Sequence, residues 1–295
     1  MSVEICFDGY LEAIVNTHQK WQEWYTPTDA TGKNPLQVER DRPTFFDFGL
    51  MVQTVEPPKT DQEGARDREK KEKIERLPAR EGICKYAAEH VLLVGRPGSG
   101  KSTALARLLL QEAENALSDR QAKIPVLVEL RYLPSEANES SVSDRILAFI
   151  HKHDPALDID EAGIKQLLRQ GRLLLLLVDG VNELPSDRGR AQVNQFRELY
   201  QKTCPMIFTT RELSVGGDLG IAKRLEMQPL TEPQMQQFVI AYLPTQGEKL
   251  LRQLSGRLRE FGQTPLLLWM LCSLFQRVRP QYNTIIRQQE ETHTD

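Results

Sequence analysis

The run Gly95-Arg96-Pro97-Gly98-Ser99-Gly100-Lys101-Ser102 constrains this chain more than any other feature. It matches G-x-x-x-x-G-K-[ST], follows the apolar Val91-Leu92-Leu93-Val94, and precedes a stretch of helical periodicity, Thr103 to Leu117. A strand, a glycine-rich turn and a helix in that order wrap backbone around phosphate. Glycines let several N–H groups converge on it, and the helix N-terminus adds partial positive charge. The pattern places Gly95 to Thr103 against phosphate, with Lys101 reaching the β- and γ-phosphates and the Ser102 hydroxyl ligating Mg²⁺.

Three more short apolar runs follow: Pro125 to Leu130, Leu173 to Val178 and Met206 to Thr210. A fifth candidate strand is Arg224 to Gln228. Near-continuous apolar runs suit strands covered on both faces, so a parallel sheet with helices on either side is expected. Helical periodicity also runs from Asp144 to Gln170, with His151 and His153 at the end of a polar-rich helix. Beyond Thr231 the pattern is helical, with Thr231-Glu232-Pro233 as a helix start, then Lys249 to Phe261, then Pro265 to Phe275. That last run is the longest apolar stretch; it is too short to span a bilayer and reads as a buried helix.

Residues 1–88 differ in texture. Phe7, Leu11, Ile14, His18, Trp21 and Tyr25 form one stripe of an amphipathic helix, a docking face onto the chain's own core. Phe45 to Val55 is rich in β-formers, and Asp61 to Arg80 alternates charges in the manner of a solvated helix or tether. His151 and His153 read as a solvated helix face, without a third ligand to make a metal site.

Lys+Arg total 38 against Asp+Glu 41, a net charge of −3, which disfavours dedicated nucleic-acid binding or an anionic membrane surface. Four scattered cysteines and an acidic N-terminus without an apolar leader point to a reducing, cytoplasmic setting.

Leu173 to Val178 runs into Asp179-Gly180-Val181-Asn182-Glu183. At the C-terminal end of a parallel strand Asp179 is placed to hold Mg²⁺ through water, and Glu183 to orient or deprotonate the attacking water. Met206 to Thr210 runs into Arg211, and at that strand end Thr210 or Arg211 is placed to sense the γ-phosphate, the guanidinium being suited to it by bidentate pairing. The run Pro125 to Leu130 lies between the two nucleotide strands, which by analogy marks an additional-strand ATPase and not a kinase or GTPase. An N-K-x-D guanine motif is also absent.

These motifs, together with Gln263-Thr264-Pro265-Leu266-Leu267-Leu268, resemble in order those of the NACHT family of signal-transduction ATPases over residues 89 to 280; Leu92 to Leu110 resembles the cyanobacterial branch. The resemblance implies a three-layer α/β P-loop NTPase of the additional-strand type followed by a small helical domain. The expected organisation is 1–88 of unknown role, 89–229 the ATPase core, 230–280 the helical lid and 281–295 a polar tail. It implies Lys101, Glu183 and Arg211 as catalytic residues, Ser102 and Asp179 on Mg²⁺, and Pro265 against the base or ribose. Asn182 departs from the family's D-G-x-D-E, and Gln263 stands where a glycine is usual.

The expected function is an ATP/ADP switch that hydrolyses slowly and assembles with itself, or acts on a separate sensor or effector, in its ATP form. A P-loop phosphotransferase and a non-hydrolysing, nucleotide-stabilised binding module are the competing readings.

Overall fold

The computed structural model describes residues 5–19, 49–55, 74–133, 140–178, 184, 187–211, 219–254 and 259–275. Contacts sort them into two compact units. One holds the sheet and its helices; the other holds residues 49–50, Gly98–Gly100 and the described residues from Pro229 onward.

In the sheet unit the elements run α1 (Asp8–Gln19), β1 (Met51–Val55), β2 (Arg76–Pro78), α2 (Ala79–Tyr86), β3 (Val91–Val94), α3 (Lys101–Ser118) and β4 (Ile124–Glu129). There follow α4 (Ser140–His153), α5 (Glu161–Arg169), β5 (Leu173–Val178), α6 (Asp187–Tyr200), β6 (Met206–Thr210) and β7 (Lys223–Met227). Seven described strands form one sheet in the order β2-β1-β7-β3-β6-β5-β4. From β7 to β4 all neighbours are parallel, while β1 joins β7 antiparallel, Val52 opposite Met227 and Val55 opposite Arg224. β3 and β6 are buried at every position, which requires helices on both faces and explains their unbroken apolar runs. The chain has the α/β architecture of a P-loop NTPase.

Two details of the strand pattern differ from expectation. The strand inserted in space between β3 and β5 is β6; the 125–130 run is β4, at the outer edge of the sheet. The sheet is also mixed, because β1 runs antiparallel to β7, and part of the 61–80 stretch read as a solvated tether instead supplies β2, which pairs with β1, and opens α2. Arg76 donates to Gln53 Oε1 at 2.9 Å and Thr54 N–H to Glu75 O at 3.0 Å, so β1 carries both neighbours.

The 144–170 stretch of helical periodicity forms two helices, the first ending at His153. Pro155 disfavours helical geometry at Asp154, and the Asp154 carboxylate accepts from Ala156 N–H at 3.2 Å in a side-chain turn. Asp160 then caps α5 by accepting from Gly163 N–H at 2.8 Å.

Phe7, Leu11 and Ile14 are buried as the stripe predicts, with α1 packed on α3 and α4. Position 18 falls within α1, while positions 21 and 25 of that stripe lie outside the described residues. Tyr10, which the stripe omits, is fully buried and donates to the Pro125 carbonyl at 2.7 Å. That bond occupies an acceptor on the edge strand β4, where an unpaired backbone group invites foreign strands. Phe149 and His153 meet the Tyr10 ring edge-on, at 6.4 and 6.0 Å between centroids. His153 is therefore part of an aromatic contact and no solvated face.

In the second unit α7 (Glu232–Tyr242), α8 (Gly247–Leu254), α9 (Arg259–Gly262) and a helix α10, residues 265–275, build a separate apolar core. Leu230, Phe238, Val239, Leu250, Leu268 and Cys272 are central to it. Only one face of α10 is buried: Leu266, Met270 and Leu274, at a spacing of four, are exposed. The run read as a buried helix is buried along one stripe, because a helix on the margin of a small core can bury one stripe only. No described helix is long and apolar enough to cross a membrane.

Candidate functional site: the phosphate loop

β3 delivers the chain to Gly95, whose N–H donates to Thr210 O at 3.3 Å and so extends the β3–β6 ladder into the loop. Arg96 and Pro97 are exposed on the turn, and Gly98 and Gly100 adopt φ of +75° and +93°. A side chain is strained at such angles, so the two glycines are what lets the loop close into the start of α3. Lys101 opens that helix. Its ammonium donates to Gly95 O at 2.6 Å and to Arg96 O at 3.1 Å, which holds the charge within the loop.

Ser102 and Thr103 sit half-buried in the first turn of α3, and that turn carries no acidic residue. The positive helix end is thus left for an external anion. Ser99 Oγ is buried without a hydrogen-bond partner among the described residues, the kind of atom a bound phosphate oxygen would satisfy. The donors present fit a polyphosphate. For a divalent cation the described residues offer Ser102, and they contain no group of three or more His, Cys, Asp or Glu able to hold a metal.

Because β6 lies beside β3, Arg211 emerges exposed one residue beyond the Thr210–Gly95 contact, at the loop's edge of the sheet. β5 ends at the same edge, since it runs parallel to β6. Asp179, Asn182 and Glu183 fall outside the described residues.

Within the second unit, Leu266 N–H donates to Gly98 O at 3.3 Å, and a Cβ on Gly98 would stand 2.9 Å from Leu266 Cβ. Pro265, the predicted nucleoside contact, is buried between the two residues, Thr264 and Leu266, that abut Gly98. Sequence reasoning missed Leu50. A Cβ on Gly100 would lie 2.8 Å from its Cδ1, and Gln234 Nε2 donates to Gly49 O at 2.7 Å beside it. The available signal was Gly49, a glycine inside a β-rich run, two residues before β1; its φ is +55°.

The NACHT domain model matches residues 89–246, more than half of the chain. The chain belongs to the NACHT family. As a NACHT protein it is a nucleotide-binding P-loop NTPase.

This NACHT chain is also similar to Lon protease 2 of Bacillus subtilis, 31% identical over 109 residues that make up 35% of this chain and 19% of that protein. It therefore spans about a fifth of the length of the curated relative it matches. Among solved structures it is similar to the Aeropyrum pernix Orc1 protein in complex with DNA. There the TM-score is 0.44 and the identity 22%, over 69% of this chain and 62% of that one. It is similar also to Drosophila ORC bound to DNA, with TM-score 0.39 and identity 16%, over 74% and 63% of the two chains.

Proposed function

We propose that this NACHT protein is a cytoplasmic nucleotide switch of the kind found in the family's cyanobacterial branch. It binds Mg-ATP, hydrolyses it slowly, and signals in its ATP form by conformational change or self-association. The observation that carries the reading is the phosphate loop, with Lys101 ammonium held at its centre, Ser99 Oγ buried without a partner, and an acid-free helix start behind them.

In this reading Gly95 to Thr103 bind the phosphates, Lys101 neutralises the charge that develops on the γ-phosphoryl oxygens, and Arg211 distinguishes ATP from ADP by its γ-phosphate. Ser102 and Asp179 would hold Mg²⁺, which when bound supplies further charge neutralisation. Glu183 orients or deprotonates the attacking water. Asn182 replaces a carboxylate of the family pattern with a neutral amide, which removes an acceptor for that water and fits a slow step. Pro265, buried next to the Gly98 contact, lies against base or ribose. The partners are nucleotide and either a second copy of the chain or a separate sensor or effector protein.

Lys101→Ala tests the assignment. Losing a charged hydrogen-bonding group from phosphate should weaken ATP binding by roughly 10- to 100-fold in a titration, with the circular dichroism spectrum unchanged. ATP affinity equal to the parent's removes the phosphate-loop reading.

A further inference from the structure

The second unit takes in the tip of the phosphate loop together with its helices, since Gly98–Gly100 fall with residues 49–50 and the chain from Pro229 onward. Both positive-φ glycines of the tip are met by side chains of that unit. A Cβ on Gly98 would stand 2.9 Å from Leu266 Cβ and 3.3 Å from Thr264 Cγ2, and one on Gly100 would stand 2.8 Å from Leu50 Cδ1.

The Gly98 contact has a backbone component. Pro265 opens α10 without an N–H, so Leu266 carries the first donor of that helix, and it donates to Gly98 O at 3.3 Å. The Gly98–Ser99 peptide is trans, so its N–H points away from its C=O. With the carbonyl turned to α10, the Ser99 N–H faces the opposite side of the loop. Without that bond nothing in Gly98 itself would hold the peptide there, because glycine has the most backbone freedom of any residue.

Leu50 is held by a separate chain of bonds. Gln234 Oε1 accepts from the Thr231 N–H and from the Thr231 hydroxyl, each at 2.8 Å, at the start of α7. Nε2 of the same side chain donates to Gly49 O at 2.7 Å. One amide thus ties the cap of α7 to the residue before Leu50, and Leu50 packs against the helical core.

From these contacts we infer that Leu50, Gln234 and Leu266 are positioning residues for phosphate binding. They hold Gly98, Ser99 and Gly100 in the shape that takes a diphosphate, and unseating α7 and α10 from the loop lets the ligand go. Ser99, whose Oγ is buried without a hydrogen-bond partner among the described residues, lies between the two gripped glycines. Ordering two glycines in advance removes their entropy loss from the binding step, so affinity depends on the grip. The inference rests on the nucleotide reading and adds how that site is regulated.

Calorimetric titration of the full chain with ADP and with pyrophosphate, both in Mg²⁺, tests it, since pyrophosphate has neither base nor ribose. Gln234→Glu keeps the acceptor that caps α7 and loses the donor to Gly49 O. Leu50→Ala takes the side chain off Gly100, and an ester in place of the Leu266 amide removes only the donor to Gly98 O. Each change is expected to weaken both ligands by the same factor, about five- to tenfold. Because Gln234 acts through Leu50, the double variant should lose no more than Leu50→Ala alone. Where Leu50→Ala lowers the melting temperature, Gln234→Glu and the ester carry the test. Weakened ADP with pyrophosphate unaffected would make these residues nucleoside contacts and overturn the proposal, as would losses that multiply in the double variant. Variants equal to a parent that binds both ligands overturn this proposal alone; a parent that binds neither overturns the nucleotide reading with it.

Discussion

His90, immediately before β3, combines three unusual features. Its φ is +57°, rare for a residue with a side chain; its Nε2 lies 2.6 Å from Gln201 O; and its Nδ1 is buried with no hydrogen-bond partner among the described residues. Burial holds the imidazole below its ordinary value of 6.5; the Gln201 carbonyl opposes this and Arg197 adds to it. A histidine so depressed is neutral in both states well above pH 6.5. Below that the unfolded chain takes up the proton first, so the contribution to stability falls as pH drops through the folded-state value. His90→Gly removes the titrating group and accepts the backbone angle, exchanging one hydrogen bond for relief of strain. Stability at pH 7.5 should stay within about 1 kcal/mol, and the fall in melting temperature between pH 7.5 and 5.5 should become shallower. The same fall in variant and parent would show that His90 carries none of it.

At the level of elements, α10 shows how little an apolar run says about burial. Leu268 is fully buried in the helical core while Met270, two residues on, is 40% exposed. Leu268→Ala should therefore cost about 2–5 kcal/mol in urea unfolding, and Met270→Ala no more than about 0.5 kcal/mol. Comparable losses would mean that both faces of α10 are covered. On the sheet side, α1 is tied down by the Tyr10 hydroxyl on Pro125 O. Burial pushes the Tyr10 phenol well above its usual value, so it remains a donor throughout the physiological range.

For the whole molecule, the proposed switch makes the nucleotide state a matter of mass as well as chemistry. Glu183→Gln retains binding and loses the water-activating carboxyl, so it should hold the ATP form. Mass photometry is expected to show larger species for this variant with Mg-ATP than with Mg-ADP. Identical distributions with the two nucleotides would remove self-association from the proposal. Strand, loop and helix around Gly95 to Thr103 were legible in the sequence because they are local: turn glycines, the lysine and the helix start are contiguous, and their chemistry needs no partner to be read. The apolar runs of β3, β5 and β6 were legible for a related reason, since a strand covered on both faces has no polar positions to spare. Strand order was not legible. Which of two apolar runs lies beside β3 depends on long-range pairing, and that pairing puts β6 in the middle and β4 at the edge. The same holds for β2, which lies in a stretch read as a charged tether, for the neighbours of β1, whose β-rich composition was legible but whose pairing was not, and for Leu50 against Gly100 and Leu266 against Gly98. The sequence by itself determined the phosphate-binding turn, because its covalent neighbours supply every group it needs; only the tertiary structure decided what surrounds that turn, because those contacts join residues far apart in the chain.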